Sequence, residues 1–388
     1  MIISDSIKYV GVNDRTLDLF ESQYILENGM AYNSYLIMDE KVALMDTVDP
    51  RGLEEWSKNV EEALVGRDID YIVVQHMEPD HSGSLAYAIE KYPNAIIVGN
   101  AKTFTFLNQF FDVDITDRKL EVKEGDTLSL GNHTLTFVMA PMIHWPEVMV
   151  SYESMEQVVF SADAFGKFGT TDADEDWACE ARRYYFNIVG KYGAPVQTLL
   201  KKLKALEVKK ILPLHGPVLD ENLGYYIDLY DKWSSYTPEN KGVFIAYASI
   251  HGNTGKLAEI LADKIRALGE EKVVVSDLSR EDIAECVEDA FRYDRMILCS
   301  ATYDGNAFVS MEDFLHHLQI KAYQNRVVGL VENGTWAPMA AKSMRTYLES
   351  MKNITVLDEV VSIKSKYKPE NEAAVNALAQ KIVDMGLQ

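Results

Sequence analysis

The residue pattern places this chain in the α/β class, as two domains of which the second is a doubly wound parallel sheet. Three observations carry that assignment. Residues 241–388 pass through five strand-then-helix units in succession, and residues 1–240 alternate short β-branched runs with longer stretches of helical period. Between them lies Tyr236-Thr237-Pro238-Glu239-Asn240-Lys241-Gly242, a polar stretch with both Pro and Gly and neither period. The length of 388 residues agrees, because single hydrophobic cores stop growing at about 250–300 residues. The domain boundary is set at 240/241.

In the first domain the strand candidates are Tyr35–Met38, Val42–Met45, Tyr71–Val74, Ala95–Val98, Thr134–Val138 and Val158–Phe160, each a compact run of apolar residues. Helical spacing marks 52–64, 82–91 and 196–206. The second domain offers strands at 243–248, 272–276, 295–300, 326–331 and 355–360. Helices follow them at 254–268, 281–291, 311–318, 339–351 and 369–385. Strict alternation of strand and helix implies parallel strands joined by crossovers. Ligands of such sheets bind in the loops at the strand C-termini.

Composition narrows the function classes. Sixty acidic against 38 basic side chains leave a net charge of −22, which repels phosphate backbones and anionic membranes, so nucleic acid and membrane are not expected partners. The densest basic segment, Lys201-Lys202-Leu203-Lys204 with Lys209-Lys210, reads as a solvated helix face. Nowhere do about 18 uncharged apolar residues follow one another. The N-terminus has no basic-then-apolar leader, and a cytoplasmic protein is expected. Cys179, Cys286 and Cys299 form no CxxC pair, so no disulfide framework and no zinc or rubredoxin-type iron site is visible, and buried thiols are expected.

The most informative segment is His76-Met77-Glu78-Pro79-Asp80-His81, with four potential metal ligands directly after an apolar strand. Pro79 and the ligand density argue for a loop clasp and against a helix. His144, Asp163 and His215 also follow short apolar strands, so all seven side chains are expected at one edge of the sheets. A single histidine beside a strand is ordinarily a hydrogen-bonded core or surface residue. A concentration of four at strand exits, each with carboxylates nearby, points to a metal site. His133, in the turn Gly131-Asn132-His133, has no such company and is left out.

The order HxExDH, then His, Asp and His, resembles the metallo-β-lactamase fold and, within it, the flavodiiron branch. Hydrolytic members carry a third histidine where this chain has Glu78. Hard carboxylate oxygens suit iron, and the histidine-rich set suits zinc. The resemblance implies an αββα first domain holding two non-haem irons. One iron would take His76, Glu78 and His144, the other Asp80, His81 and His215, with Asp163 as the bridge.

In the second domain, Ser249-Ile250-His251-Gly252-Asn253-Thr254-Gly255 joins the first strand to a helix. Hydroxyls and small residues before a helix N-terminus suit a phosphate, although ordinary helix caps use the same residues. In its place after the first strand the loop resembles the phosphate loop of flavodoxins, with His251 replacing their second hydroxyl residue. The resemblance implies FMN, bound through Ser249, His251, Gly252, Asn253 and Thr254. The isoalloxazine would lie between Ala301-Thr302-Tyr303-Asp304-Gly305-Asn306 and Asn333-Gly334-Thr335-Trp336, where Tyr303 and Trp336 could stack on it or simply pack on the surface. No GxGxxG follows any strand, which argues against a nicotinamide site.

Both halves resemble the flavodiiron proteins, over nearly the whole chain. The implied function is reduction of dioxygen to water, of nitric oxide to nitrous oxide, or of both, with electrons relayed through FMN. With no rubredoxin module in the sequence, electrons would come from rubredoxin, another redox protein or a reduced deazaflavin. A head-to-tail homodimer, or a dimer of such dimers, would set the flavin of one subunit before the irons of the other. Two alternatives stand beside this: a dinuclear zinc hydrolase with an accessory flavodoxin domain, and a pure electron carrier that has lost its metal.

Overall fold

The computed structural model describes residues 3–386; Met1 and Ile2, part of the N-terminal stretch considered above, lie outside the described residues, as do Leu387 and Gln388. The chain forms two compact units. One runs to Tyr185 and resumes over Ala194–Asp231; the other comprises Phe186–Gly193 and the chain from Lys232 onward.

The first unit packs two sheets face to face. The six-stranded sheet has the order Ile7–Tyr9, Tyr35–Met38, Val42–Met45, Tyr71–Val73, Ile96–Gly99, Lys119–Glu121. The five-stranded sheet has the order Thr127–Ser129, Thr134–Met139, Met149–Glu153, Val158–Phe160, Lys210–Leu212. Alternation along each strand supplies the inner layer: Tyr35, Ile37, Ala43 and Met45 from one sheet meet Leu135, Phe137, Val158 and Phe160 from the other. Helix Leu53–Leu64 buries a stripe of Trp56, Val60 and Leu64, at four-residue spacing. Burial of Val60 and Leu64 contributes about 1.5–3 kcal/mol apiece. This is the lactamase-like half of the predicted architecture.

The second unit is built on five parallel strands in the order Val273–Asp277, Asn240–Ala248, Tyr293–Tyr303, Arg326–Asn333, Ile354–Ile363. In chain order that is 2-1-3-4-5, the doubly wound order of flavodoxins. The switch point falls between the first and third strands, beside loop 249–252. Helix Asn253–Ala267 buries Leu257, Ala258, Leu261, Ala262 and Ile265 against this sheet.

Three local expectations are corrected. The metal clasp is not all loop: Pro79–Ser82 forms a helical turn, because proline at the first helical position gives up only an N–H that has no intrahelical partner. The lysines do not share one helix face. Helix Gly193–Leu203 ends before Lys204, and Lys210 opens the strand Lys210–Leu212 with its ammonium on the Ile3 carbonyl. Lys202 is only half exposed, donating to Glu124 and to the Met139 carbonyl. Finally, the polar connector is partly strand, since pairing of Asn240 with Tyr293 starts the first strand at Asn240. Cys286 and Cys299 are buried, which pushes their thiols up, and Cys179 is half-buried.

Candidate metal centre and flavin pocket

The strand Tyr71–Val73 delivers His76 with its backbone already held. The buried Asp46 carboxylate accepts the N–H groups of Gln75 at 2.7 Å and His76 at 3.3 Å. The turn Pro79–Ser82 then places Asp80 and His81 on its inner side, both buried. His144 follows strand Thr134–Met139, Asp163 follows Val158–Phe160, and His215 follows Lys210–Leu212. All seven predicted side chains converge.

The convergence has two halves. Donor atoms of His76, Glu78, His144 and Asp163 lie within 4.8 Å of one another, and so do those of Asp80, His81 and His215. Asp163 reaches both: Oδ2 is 3.3 Å from His76 Nε2 and 3.2 Å from His144 Nε2, and Oδ1 is 3.2 Å from His81 Nε2 and 3.9 Å from His215 Nε2. Donors bound at about 2.0–2.2 Å from one ion stand about 3 Å apart. The 3.0 Å between His81 Nε2 and His215 Nε2 and the 2.9 Å between His144 Nε2 and Glu78 Oε2 match that spacing. Both oxygens of Asp163 and of Asp80 are buried and accept no well-aligned hydrogen bond. Such groups persist when a cation completes them. The residues therefore fit a pair of metal ions, and the share of carboxylate fits iron.

Protonation follows the same logic. Burial opposes ionisation of Asp163, but His76, His144 and His81 around it hold it well below the usual carboxylate range. His76 is carried well above its ordinary value by Asp163, Glu147 and Glu78, despite its burial. Burial, with Glu78 and Asp163 nearby, lifts Asp80 to about 7 even against His81. Burial lowers His215. Without a metal the carboxylates and imidazoles hold protons between them, and a cation bound at the ring nitrogens would take the place of those protons.

Several residues here escaped sequence analysis. Glu147, fully buried, accepts His76 Nδ1–H at 2.8 Å and the Met77 N–H at 2.9 Å. Phe20 lays its ring edge-on to His215 at 5.6 Å, and Tyr184 lies 5.5 Å from it. Burial first, then the Asp163, Glu78 and Asp80 carboxylates, keeps the Tyr184 phenol protonated. His133 instead pairs with Asp39 at 2.8 Å.

In the second unit a cavity of about 480 Å³ opens at the switch point, within the usual range for a cofactor site. Ser249, His251, Asn253 and Thr254 line it from the first loop. The Ser249 hydroxyl is buried without a hydrogen-bond partner. Thr254 Oγ1 accepts from Asn333 Nδ2 at 3.2 Å, which leaves its own proton to donate. Gly252 caps helix Asn253–Ala267 at φ +80°, where a backbone without Cβ turns freely. An orphan hydroxyl beside a helix N-terminus fits a phosphate. Ala301, Thr302, Tyr303, Asp304 and Gly305 form a second wall and Asn333, Gly334, Thr335 and Trp336 a third. Gly252 and Asn306 are not in the lining. Gly252 faces an adjoining groove, and Asn306 pairs back on Tyr303 in a tight hairpin. Ser365, not anticipated, joins the lining and is clamped by Asn333 through bonds of 2.9 Å in both directions.

Known proteins are similar to this chain in sequence and fold. The family described as ODP family beta lactamase matches residues 30–216. An uncharacterised protein of Methanocaldococcus jannaschii is 27% identical over 99% of this chain and 98% of its own. The anaerobic nitric oxide reductase flavorubredoxin of Escherichia coli is 28% identical over 96% of this chain and 79% of its own. Among solved structures, the rubredoxin oxygen:oxidoreductase of Desulfovibrio gigas superimposes with a TM-score of 0.91 at 26% identity, covering 99% of this chain and 98% of that one. The flavodiiron protein of Giardia intestinalis gives 0.90 at 25%, covering 99% and 96%. With its sheet orders, its two halves of carboxylate and imidazole donors and these relatives taken together, the chain is similar over nearly its whole length to the flavodiiron oxidoreductases.

Proposed function

We propose that FMN in the second unit receives electrons from a redox donor and passes them to two irons held by His76, Glu78, His144, Asp163, Asp80, His81 and His215, where dioxygen or nitric oxide is reduced. The observation that carries this is Asp163, one oxygen of which faces each half of the donor set. When bound, the iron pair supplies redox change and open positions for a diatomic gas. Four electrons and four protons convert dioxygen to two waters; two of each convert two nitric oxides to nitrous oxide and one water. The relatives named above include one named for nitric oxide and one for oxygen, so both substrates belong to the proposal, with rubredoxin, another redox protein or a reduced deazaflavin as donor. The chain's own contribution is to hold the ligands, to keep the Tyr184 phenol protonated beside them and to shield His215 with Phe20. No helix among the described residues is long and apolar enough to cross a membrane.

Protein purified anaerobically is expected to hold about two irons per chain, set by the two halves of the ligand set. Once reduced and mixed with dioxygen or nitric oxide, it should reoxidise its flavin, as read by visible absorbance. Stoichiometric zinc from iron-replete cells, with hydrolysis of a thioester or lactam, overturns the proposal.

The mouth of the flavin cavity supports a head-to-tail dimer. Trp336 is 89% and Tyr303 49% exposed there, beside exposed Met339 and Ile250. Apolar surface of this kind marks an interaction site, and a closed two-fold pair is the commonest oligomer. Mixing a variant without iron ligands (His76→Ala with Asp163→Ala) and one without FMN (Gly252→Asp with Thr254→Val), under subunit exchange, should restore activity. Verified heterodimers that stay inactive refute the cross-subunit route.

A further inference from the structure

The two halves of the metal centre present the same inner donors: two imidazoles, one carboxylate and one oxygen of Asp163. They differ in what stands behind the rings. Nδ1 of His76 donates to a carboxylate oxygen of Glu147 at 2.8 Å, whereas Nδ1 of His215 donates to the neutral carbonyl of Ala31 at 2.7 Å. Nδ1 of His81 is buried with no hydrogen-bond partner. Glu147 is fully buried, its chain anchored by the Asn100 amide on its carbonyl, and its second carboxylate oxygen has no partner. A carboxylate sunk in the interior with one oxygen unmatched is costly to keep, and its side-chain partner among the described residues is the imidazole of the candidate ligand His76.

Resting on the diiron assignment above, we propose that Glu147 makes the two irons unequal, so that the iron of His76, Glu78 and His144 is the one that favours the ferric state. The cause is electrostatic. A carboxylate accepting Nδ1–H pushes charge through the ring to Nε2, which then binds the more highly charged ion better. Within a buried site that charge is weakly screened, and a carbonyl dipole behind His215 supplies much less. A loaded iron pair would therefore take up its two electrons at two separated potentials. With iron bound, the ion held by Asp80, His81 and His215 would be reduced at the higher potential and the ion held by His76, Glu78 and His144 at the lower.

The test uses the holoprotein with iron and FMN loaded. Glu147→Gln keeps shape and an acceptor oxygen for both His76 and Met77, and removes only the charge; Glu147→Asp keeps the charge. Anaerobic potentiometric titration, followed by electron paramagnetic resonance of the half-oxidised pair, measures the separation of the two steps. Chelator competition measures iron retention. In Glu147→Gln the ferric preference of one iron should fall about tenfold, equivalent to about 59 mV for a one-electron step. The two steps should close up, the half-oxidised signal should shrink, and iron retention should fall about tenfold or more. Glu147→Asp should restore the separation, and FMN content should not change. The proposal is overturned if the Gln variant keeps the wild-type separation, if both steps move together, or if the Asp variant with two irons bound also loses the separation. Failure of the diiron assignment shows separately, as wild-type protein that retains no iron.

Discussion

Asp163→Asn will abolish gas reduction while FMN stays bound and reducible. Asp163 is fully buried and directs one oxygen toward each half of the cage. Asparagine keeps the volume but removes the charge that holds two cations close, and its amide brings N–H donors to face imidazole nitrogens. Removing one partner of a buried charge pair costs about 3–5 kcal/mol, which is about two to three and a half orders of magnitude in affinity. Iron per chain should therefore fall well below that of wild type, while flavin content and photoreduction hold. A variant with full activity and full iron would show that the bridge has been misassigned.

Gly252→Asp should empty the flavin pocket and leave the metal centre loaded. A Cβ added at Gly252 meets nothing within 4 Å, but the residue sits at φ +80°, so any side chain there carries backbone strain, to which Asp adds a charge. A carboxylate at the cap opposes the phosphate just where the helix terminus attracts it, and like charges brought together cost several kcal/mol. Gly252→Asn, with the same shape and tolerance of positive φ, should lose far less. Thr254→Val, which deletes one hydrogen bond to a charged group, should cost about 1.5–3 kcal/mol, about tenfold to hundredfold in FMN affinity. Fluorescence titration of the apoprotein with FMN reads all three. Equal affinities would place the phosphate elsewhere.

What sequence made visible, and what it hid, follows from the range of each signal. The five strand-helix units were legible because their apolar runs and helical stripes are long, as in helix Asn253–Ala267. The convergence of the seven candidate ligands was legible because four sit within six residues and the others follow apolar runs. Helix Ala101–Phe110 was hidden by Thr103, Phe104, Thr105 and Phe106, residues that favour strands by themselves. Strand Met149–Glu153 was hidden by its buried Ser151 and Glu153, which break the apolar run. The paired two-residue strands Leu19–Phe20 and Tyr24–Ile25 are too short to show a period. Glu147 had no local mark at all: its partner His76 stands 71 residues away in sequence. The hairpin at Asp304-Gly305 did carry one, since Asp-Gly is the preferred centre of a tight β-turn, and both residues adopt positive φ.

The seven candidate ligands come from both sheets of the first unit: His76, Glu78, Asp80 and His81 leave the six-stranded sheet, and His144, Asp163 and His215 leave the five-stranded one. Ions bound there would therefore be rivets between the layers of the sandwich as well as a site of chemistry. Anything that binds the folded state alone raises its stability in proportion to the logarithm of its concentration, so under the proposed diiron assignment the melting of this unit would be linked to free iron. Without metal, the strand ends that carry these side chains would lose that tie.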